Sequence, residues 1–165
     1  MRLHIREATK VDLASITTIY NQGIEEGNAT LEVDLKTASD MDQWFSEHDQ
    51  RYQVLVATLN KKICGWASLN RYSQRRAHEG IAVISIYIER DWRGKGLGGR
   101  ILKELEWIAI NHDFHKLVLY ALPTNKRGYQ LYKKNGFREV GVFQKHGRLN
   151  GNFIDVIAME KILID

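Results

Sequence analysis

The stretch Arg93-Gly94-Lys95-Gly96-Leu97-Gly98-Gly99-Arg100 constrains the fold of this chain more than any other. It follows the β-branched, almost unbroken apolar run Ala82-Val83-Ile84-Ser85-Ile86-Tyr87-Ile88. It leads into Leu97, Ile101, Leu102, Leu105, Ile108 and Ala109, which recur at helical spacing. Such an apolar run is a central strand covered on both faces. The periodic positions make a helix from about Gly96 to Asn111 with one face toward a core. Strand, glycine-rich turn and helix in that order set backbone N–H groups at a helix N-terminus, where the macrodipole favours an anion. Glycines let the backbone turn sharply and come close to a ligand. Lys95 and Arg100 add formal positive charge, and together these features predict a pyrophosphate cradle. The string Gly-x-x-x-x-Gly-Lys-[Ser/Thr] of the Walker A loop is absent, and the four glycines lack the Gly-x-Gly-x-x-Gly spacing of a dinucleotide fingerprint.

The rest of the chain alternates short strands with helices. Leu3–Arg6 reads as a strand, and Thr9 caps a helix starting near Lys10 with Leu13, Ile16, Ile19 and Tyr20 on its apolar face. Asn21 to Leu35 is expected to be irregular, and Thr37 or Ser39 to cap a short helix carrying Met41, Trp44 and Phe45. Gln53–Thr58 and Ile63–Leu69 form a hairpin about Asn60-Lys61-Lys62, followed by a polar loop from Asn70 to Gly80. Lys116–Ala121 is a strand, and Asn125 opens a helix that Gly136 stops. Phe137–Phe143 and Phe153–Met159 complete the set, giving the order β-α-α-β-β-β-α-β-α-β-β and an α/β fold with a mixed sheet.

At 165 residues the chain has the size of one domain, taken as residues 1–165. No apolar run approaches the ~20 residues of a membrane span, and the N-terminus lacks the apolar region of a signal peptide. A cytoplasmic location with no membrane partner is therefore expected. The single cysteine, Cys64, excludes an intrachain disulfide and a cysteine-based zinc cluster, and reads as a core residue. A net charge of +4 suits a polyanionic partner. Without an aromatic-rich basic face or a helix-turn-helix pattern, a phosphorylated small molecule is favoured over nucleic acid.

The pattern Arg-x-x-Gly-x-Gly beginning at Arg93 resembles the acetyl-CoA pyrophosphate loop of the GNAT acetyltransferase superfamily. Ser85-Ile86-Tyr87-Ile88 resembles the strand before that loop, and Asn125, Leu131, Tyr132, Gly136 and Phe137 match the family's later helix and strand. Ile19-Tyr20-Asn21, Ala29-Thr30-Leu31-Glu32, Leu122-Pro123-x-Asn125 and Asp155-Val156 are similar to the phosphinothricin N-acetyltransferase branch, which acetylates small amino-acid-like toxins such as phosphinothricin and methionine sulfoximine. The resemblance implies a mostly antiparallel central sheet with splayed middle strands and about four flanking helices. It implies transfer of an acetyl group from acetyl-CoA to a small-molecule amine, and it makes a homodimer an expectation. The backbone from Arg93 through Gly94, Lys95, Gly96, Leu97, Gly98 and Gly99 would then hold the diphosphate. Ile86, Tyr87, Ile88 and Asn125 would lie along the pantetheine. An N–H near Ile88 would face the thioester oxygen, and Tyr132 would protonate the departing thiolate.

The acceptor side departs from that branch. Where the branch carries a glutamate, two residues before the serine or threonine of the Ser-Ile-Tyr-Ile strand, this chain has Val83. A branch tyrosine is matched by His78, and the histidine of a late Lys-His-Gly by Asn150. An amine of pKa near 10 is only about 0.1% neutral at pH 7, so its proton must go somewhere. Glu79, His78 and Glu32 are the substitute candidates, Glu32 for positioning the amine, and Arg71, Arg75 and Arg76 could hold an acidic group of the substrate. Three functions stay open: an N-acetyltransferase for small amino-acid-like amines, the same chemistry on a polyamine or protein N-terminus, and a CoA-binding module with little turnover.

Overall fold

The computed structural model describes residues 2–164. Among them seven strands form one sheet in the order β1-β2-β3-β4-β5-β7-β6, with four α-helices: β1 (Leu3–Glu7), α1 (Leu13–Glu26), α2 (Ala38–Ser46), β2 (Val54–Leu59), β3 (Lys62–Arg71), β4 (Ile81–Ile88), α3 (Leu97–Asn111), β5 (Lys116–Ala121), α4 (Lys126–Lys134), β6 (Arg138–Leu149) and β7 (Asn152–Ile162). Every neighbouring pair is antiparallel except β4 and β5. That exception follows from connectivity: α3 carries the chain back over the sheet, and such a crossover returns a strand parallel to the one it left.

Alternation along the strands sorts the core into two layers. Ala82 and Ile84 of β4 and Leu117 and Leu119 of β5 pack against Ile101, Leu102 and Leu105 of α3. Val54, Val56 and Trp66 pack on the other face against Ile16 and Ile19 of α1 and Met41 of α2. Trp66 is almost wholly buried, stacked on Tyr87 with centroids 4.9 Å apart and meeting Tyr20 and Trp44 edge-on. Truncating a fully buried residue such as Leu102 to alanine costs about 2–5 kcal/mol.

Pairing between β4 and β5 covers only Ile81–Val83 against Lys116–Val118. Past that point the strands part, and backbone groups of β4 on that edge have no strand partner. The orientation is readable from one bond: Glu89 N–H donates to Cys64 O on β3 at 2.8 Å. Strand periodicity then turns the N–H groups of Ile86 and Ile88 to the opposite edge, into the gap.

Two segments differ from the sequence expectation. The region expected to be irregular from Asn21 is helical as far as Glu26, and α1 ends at Gly27 with φ 72°. The extra turn is held by packing: a Cβ on Gly23 would stand 3.3 Å from the Tyr87 ring, so glycine lets helix and strand approach. The strand expected to end at Phe143 continues to Leu149, across a register shift between Phe143 and Gly147. It turns into β7 through Asn150 (φ 51°) and Gly151 (φ 79°), an Asn-Gly pair with the positive dihedrals a two-residue hairpin needs.

Candidate active site

The gap between β4 and β5 opens into a cleft of about 520 Å³. One wall is the turn before α3, where Gly94 (φ 74°) and Gly96 (φ 83°) take left-handed conformations and Gly96 is the N-cap of α3. A Cβ at Gly96 would meet nothing within 4 Å, so this corner faces open space with the first N–H groups of α3 behind it. The opposite wall is α4. Its Arg127 guanidinium stands 3.7–3.9 Å from the Cβ position of Gly94, a cation over the mouth of the turn that sequence reading missed. Arg127 sits two residues after Asn125, and only the fold shows that α4 lies across from the glycines.

Arg93 takes a different part from its neighbours. Its guanidinium forms a two-pronged ion pair with Glu26 of α1, one contact at 2.8 Å, and its Nε donates to Ile88 O at 3.0 Å. The pair holds the Glu26 carboxyl below, and the Arg93 guanidinium above, their ordinary values. Arg93 therefore ties the turn to α1 and to the end of β4, and its charge is already committed. Lys95 does not line the cleft; its Nζ lies 4.8 Å from the centroid of the Trp92 ring. Ile86, Tyr87, Ile88, Arg93, Gly94, Gly96, Leu97, Gly98, Gly99, Asn125 and Tyr132, all singled out from sequence, do line it. Asn125 caps α4, its Oδ1 accepting from Gly128 N–H at 3.1 Å, which leaves Nδ2 as its free donor.

A second cleft of about 230 Å³ adjoins the first. The two share Ala29, Ile86, Tyr87, Asn125 and Tyr132, so they meet at the two tyrosines. Hydroxyls dominate the polar lining of the second cleft: Tyr20, Thr30, Ser85, Tyr87, Tyr120 and Tyr132. Burial, with the nearby Tyr87, holds the Tyr132 phenol well above its ordinary value. Burial pushes Tyr87 up to about 12, opposed by the Thr30 hydroxyl and assisted by the Glu32 charge. Both phenols keep their protons across the physiological range and act as O–H donors.

The acceptor-side residues chosen from sequence fall elsewhere. Glu79, Arg75, His78, Glu32 and Asn150 are absent from the lining of both clefts. Glu79 precedes β4 at the end remote from the glycine turn, where its carbonyl accepts from Arg51 at 2.7 Å. Eight strand residues at ~3.3 Å each separate that end from Ile88 by well over 20 Å, too far for direct proton transfer. His78 is held by Ser73 at 2.7 Å and stands edge-on to Tyr72, and Arg75 is exposed beside them. Arg71 lies over the Tyr52 ring, 4.9 Å from its centroid. Glu32 pairs with Lys36 at 3.0 Å and is not part of either lining, although its charge acts on Tyr20 and Tyr87, which are. Asn150 is a hairpin turn residue. Upstream, Gly147 packs closely on Leu31: a Cβ there would stand 2.7 Å from the Leu31 side chain. Among the described residues there is no cluster of three or more His, Cys, Asp or Glu able to hold a metal, and no helix long and apolar enough to cross a membrane.

Residues 14–137 match the family model described as Acetyltransferase (GNAT) family. The chain belongs to the GNAT acetyltransferase family. It is 32% identical over 153 residues to YwnH of Bacillus subtilis (strain 168), provisionally named a phosphinothricin acetyltransferase, covering 92% of this chain and 94% of that one. It is 28% identical over 162 residues to the L-methionine sulfoximine/L-methionine sulfone acetyltransferase of Pseudomonas aeruginosa, covering 97% and 94%. The solved structure of a GNAT superfamily phosphinothricin acetyltransferase from Sinorhizobium meliloti in complex with acetyl-CoA superposes with a TM-score of 0.92 at 27% identity, covering 98% of this chain and 89% of that one. This GNAT chain is an acetyl-CoA-dependent N-acetyltransferase with the family's mixed, mostly antiparallel sheet. Acetyl-CoA supplies a thioester carbonyl open to attack by an amine, and the first cleft fits it: glycines with positive φ, helix N–H groups, the Arg127 cation and a strand edge with free amides.

Proposed function

We propose that this chain acetylates the α-amine of small amino-acid-like molecules of the phosphinothricin and methionine sulfone type. The observation that carries the reading is the junction of the two clefts at Tyr87 and Tyr132. A long cleft with anion-binding features meets a small one, and the acceptor space of about 230 Å³ suits a single amino acid better than a peptide chain. No carboxylate lines it, which disfavours a polyamine, a polycation that such a site would have to neutralise. In this reading the backbone from Gly94 to Gly99 holds the diphosphate, with Lys95 contributing only long-range charge. Ile86, Tyr87 and Asn125 line the pantetheine, the Ile88 N–H faces the developing oxyanion, and Tyr132 gives its proton to the departing thiolate. Lacking a carboxylate at the site, the chain leaves the ammonium proton to solvent reaching the open cleft. The proposal extends to residues 1–165 acting as one domain in the cytoplasm, in keeping with a lone buried thiol.

The test is a thiol-release assay with acetyl-CoA and methionine sulfone, methionine sulfoximine, phosphinothricin, spermidine and an alanine-terminated peptide. Saturable release with the first three and none with the last two is the expected result. Turnover confined to spermidine or the peptide would overturn the substrate assignment, and tight CoA binding with silence across the panel would favour a binding module.

A further inference from the structure

A line of hydrogen bonds runs behind the acceptor cleft. The residue pairs Ser68–Ser85 and Asn70–Val83 lie opposite each other in the β3–β4 register, on the face that carries Tyr87. Asn70 stands at the centre. Its Nδ2 donates to Val83 O at 3.0 Å and to Ser85 Oγ at 3.3 Å. Its Oδ1 accepts from Ser68 Oγ at 3.1 Å and lies 2.8 Å from His48 Nε2. His48 Nδ1 in turn lies 2.9 Å from Trp44 O on α2.

The direction of every bond in this line is decided by one fixed acceptor. A backbone carbonyl cannot donate, so the atom facing Val83 O must be the amide nitrogen of Asn70, and the oxygen must face His48. His48 Nε2 is then a donor. His48 Nδ1 also faces a carbonyl, that of Trp44. At the other end, both Nδ2 protons of Asn70 are used, and Ser85 receives one of them. The hydroxyl proton of Ser85 is left over, and Ser85 lines the acceptor cleft.

We propose that Ser85 is an acceptor-binding residue whose hydroxyl donates to an oxygen of the substrate, the carboxylate or the sulfonyl or phosphinyl group. Asn70 and His48 are positioning residues that fix the sense of that hydroxyl. The proposal rests on the reading of the acceptor as amino-acid-like, and adds how a cleft without a lining cation holds an oxygen-rich substrate. Without Asn70, Ser85 could donate to Val83 O or its surroundings and present a lone pair to the cleft. With Asn70 in place, that choice is removed.

The decisive variant is Asn70→Asp. It keeps the side-chain size and an acceptor for His48, but replaces the Nδ2 donor by an oxygen that loses the bond to Val83 O and accepts from Ser85, so Ser85 donates backward and no longer toward substrate. The expected result is a rise of about tenfold in the KM for methionine sulfone in Asn70→Asp and in Ser85→Ala alike, with the KM for acetyl-CoA unchanged. The double variant should be no worse than either single, and Ser85→Thr, which restores a hydroxyl, should return KM to near wild type. An unmoved methionine sulfone KM in Ser85→Ala, or additive effects in the double variant, would overturn the proposal. A second arm needs no acceptor: side-chain amide exchange of Asn70 by NMR. Slow exchange in the wild type that speeds at least about tenfold in Ser85→Ala and in His48→Phe supports the line, and exchange at the rate of a free amide refutes it. A chain silent toward methionine sulfone but with a protected Asn70 amide would sink the substrate reading and leave the line standing.

Discussion

Gly96→Ala separates the conformational demand of the turn from its ligand demand. Gly96 sits at φ 83° and ψ 5°, and an added Cβ would touch no protein atom within 4 Å. The stability cost is thus the left-handed backbone alone, about 1–2 kcal/mol for an L-residue. For a chain of this length each kcal/mol moves Tm by roughly 2–4 °C, so a drop of about 2–8 °C is expected. Binding should suffer more. The space the methyl enters is the space a diphosphate needs to reach the N–H groups at the start of α3. Losing two such charge-assisted bonds at about 1.5 kcal/mol each raises the Kd for CoA about a hundredfold. Gly98→Ala is the control. Gly98 lies inside the first turn of α3 without a positive φ, where alanine is favoured by up to ~1 kcal/mol. Its Cβ would stand 2.9 Å from a terminal methyl of Leu131, a side-chain end that can swing aside. A Tm within about 2 °C of wild type and a Kd raised only a few-fold are expected. Melting curves and calorimetric titration with CoA read both quantities. A Gly96→Ala protein that binds CoA as tightly as wild type would refute the diphosphate assignment, whatever its Tm.

Tyr132→Phe should lower kcat by about a hundredfold while leaving the Kd for CoA nearly unchanged, because the phenol is needed only as the thiolate departs; equal losses in both would make Tyr132 a packing residue. With no carboxylate at the cleft, kcat/KM for the amine should rise tenfold per pH unit up to the amine's own pKa, and Glu79→Gln should track wild type, as stopped-time assays from pH 6 to 9 would show; a plateau near pH 7 means a protein base exists. Arg93→Ala, which frees Glu26 and the Ile88 carbonyl, should raise the KM for acetyl-CoA about tenfold with a smaller change in kcat, as steady-state kinetics would read. Asp12 is buried against Arg6 at 2.8 Å and bonded to Thr9, with its carboxyl held below the usual range chiefly by Arg6. A carboxyl of lowered folded pKa contributes stability above its unfolded value and loses it as pH falls, so Asp12→Asn should cost about 1–2 kcal/mol at pH 7 and progressively less below pH 4, in denaturant melts at each pH.

Much of the architecture was legible because it rests on local periodicity. The strand before the glycine turn, the apolar stripe of α3 and the caps at Thr37 and Asn125 are short-range features, and the structure places them within a residue or two of where pattern reading does. The first cleft was legible for the same reason: ten of its lining residues lie in one strand–turn segment from Ile86 to Gly99, whose conformation is set by glycines and by the helix behind them.

The second cleft is assembled from α1, the loop at residues 29–31, β4, β5, α4 and β7, and no local rule relates those segments. Sequence proximity to β4 made Glu79 a candidate base; it is absent from both linings, and the length of the strand separates it from Ile88. Order along the chain suggested Asn150, which the fold sets in the β6–β7 hairpin turn, outside the lining of both clefts. Sequence alone determined the strand, glycine turn and helix N-terminus that shape the first cleft, since that corner is encoded in contiguous residues. Which side chains meet the amine was decided by tertiary packing, because a cleft between parted strands draws its walls from elements that neighbour one another only after the sheet has formed.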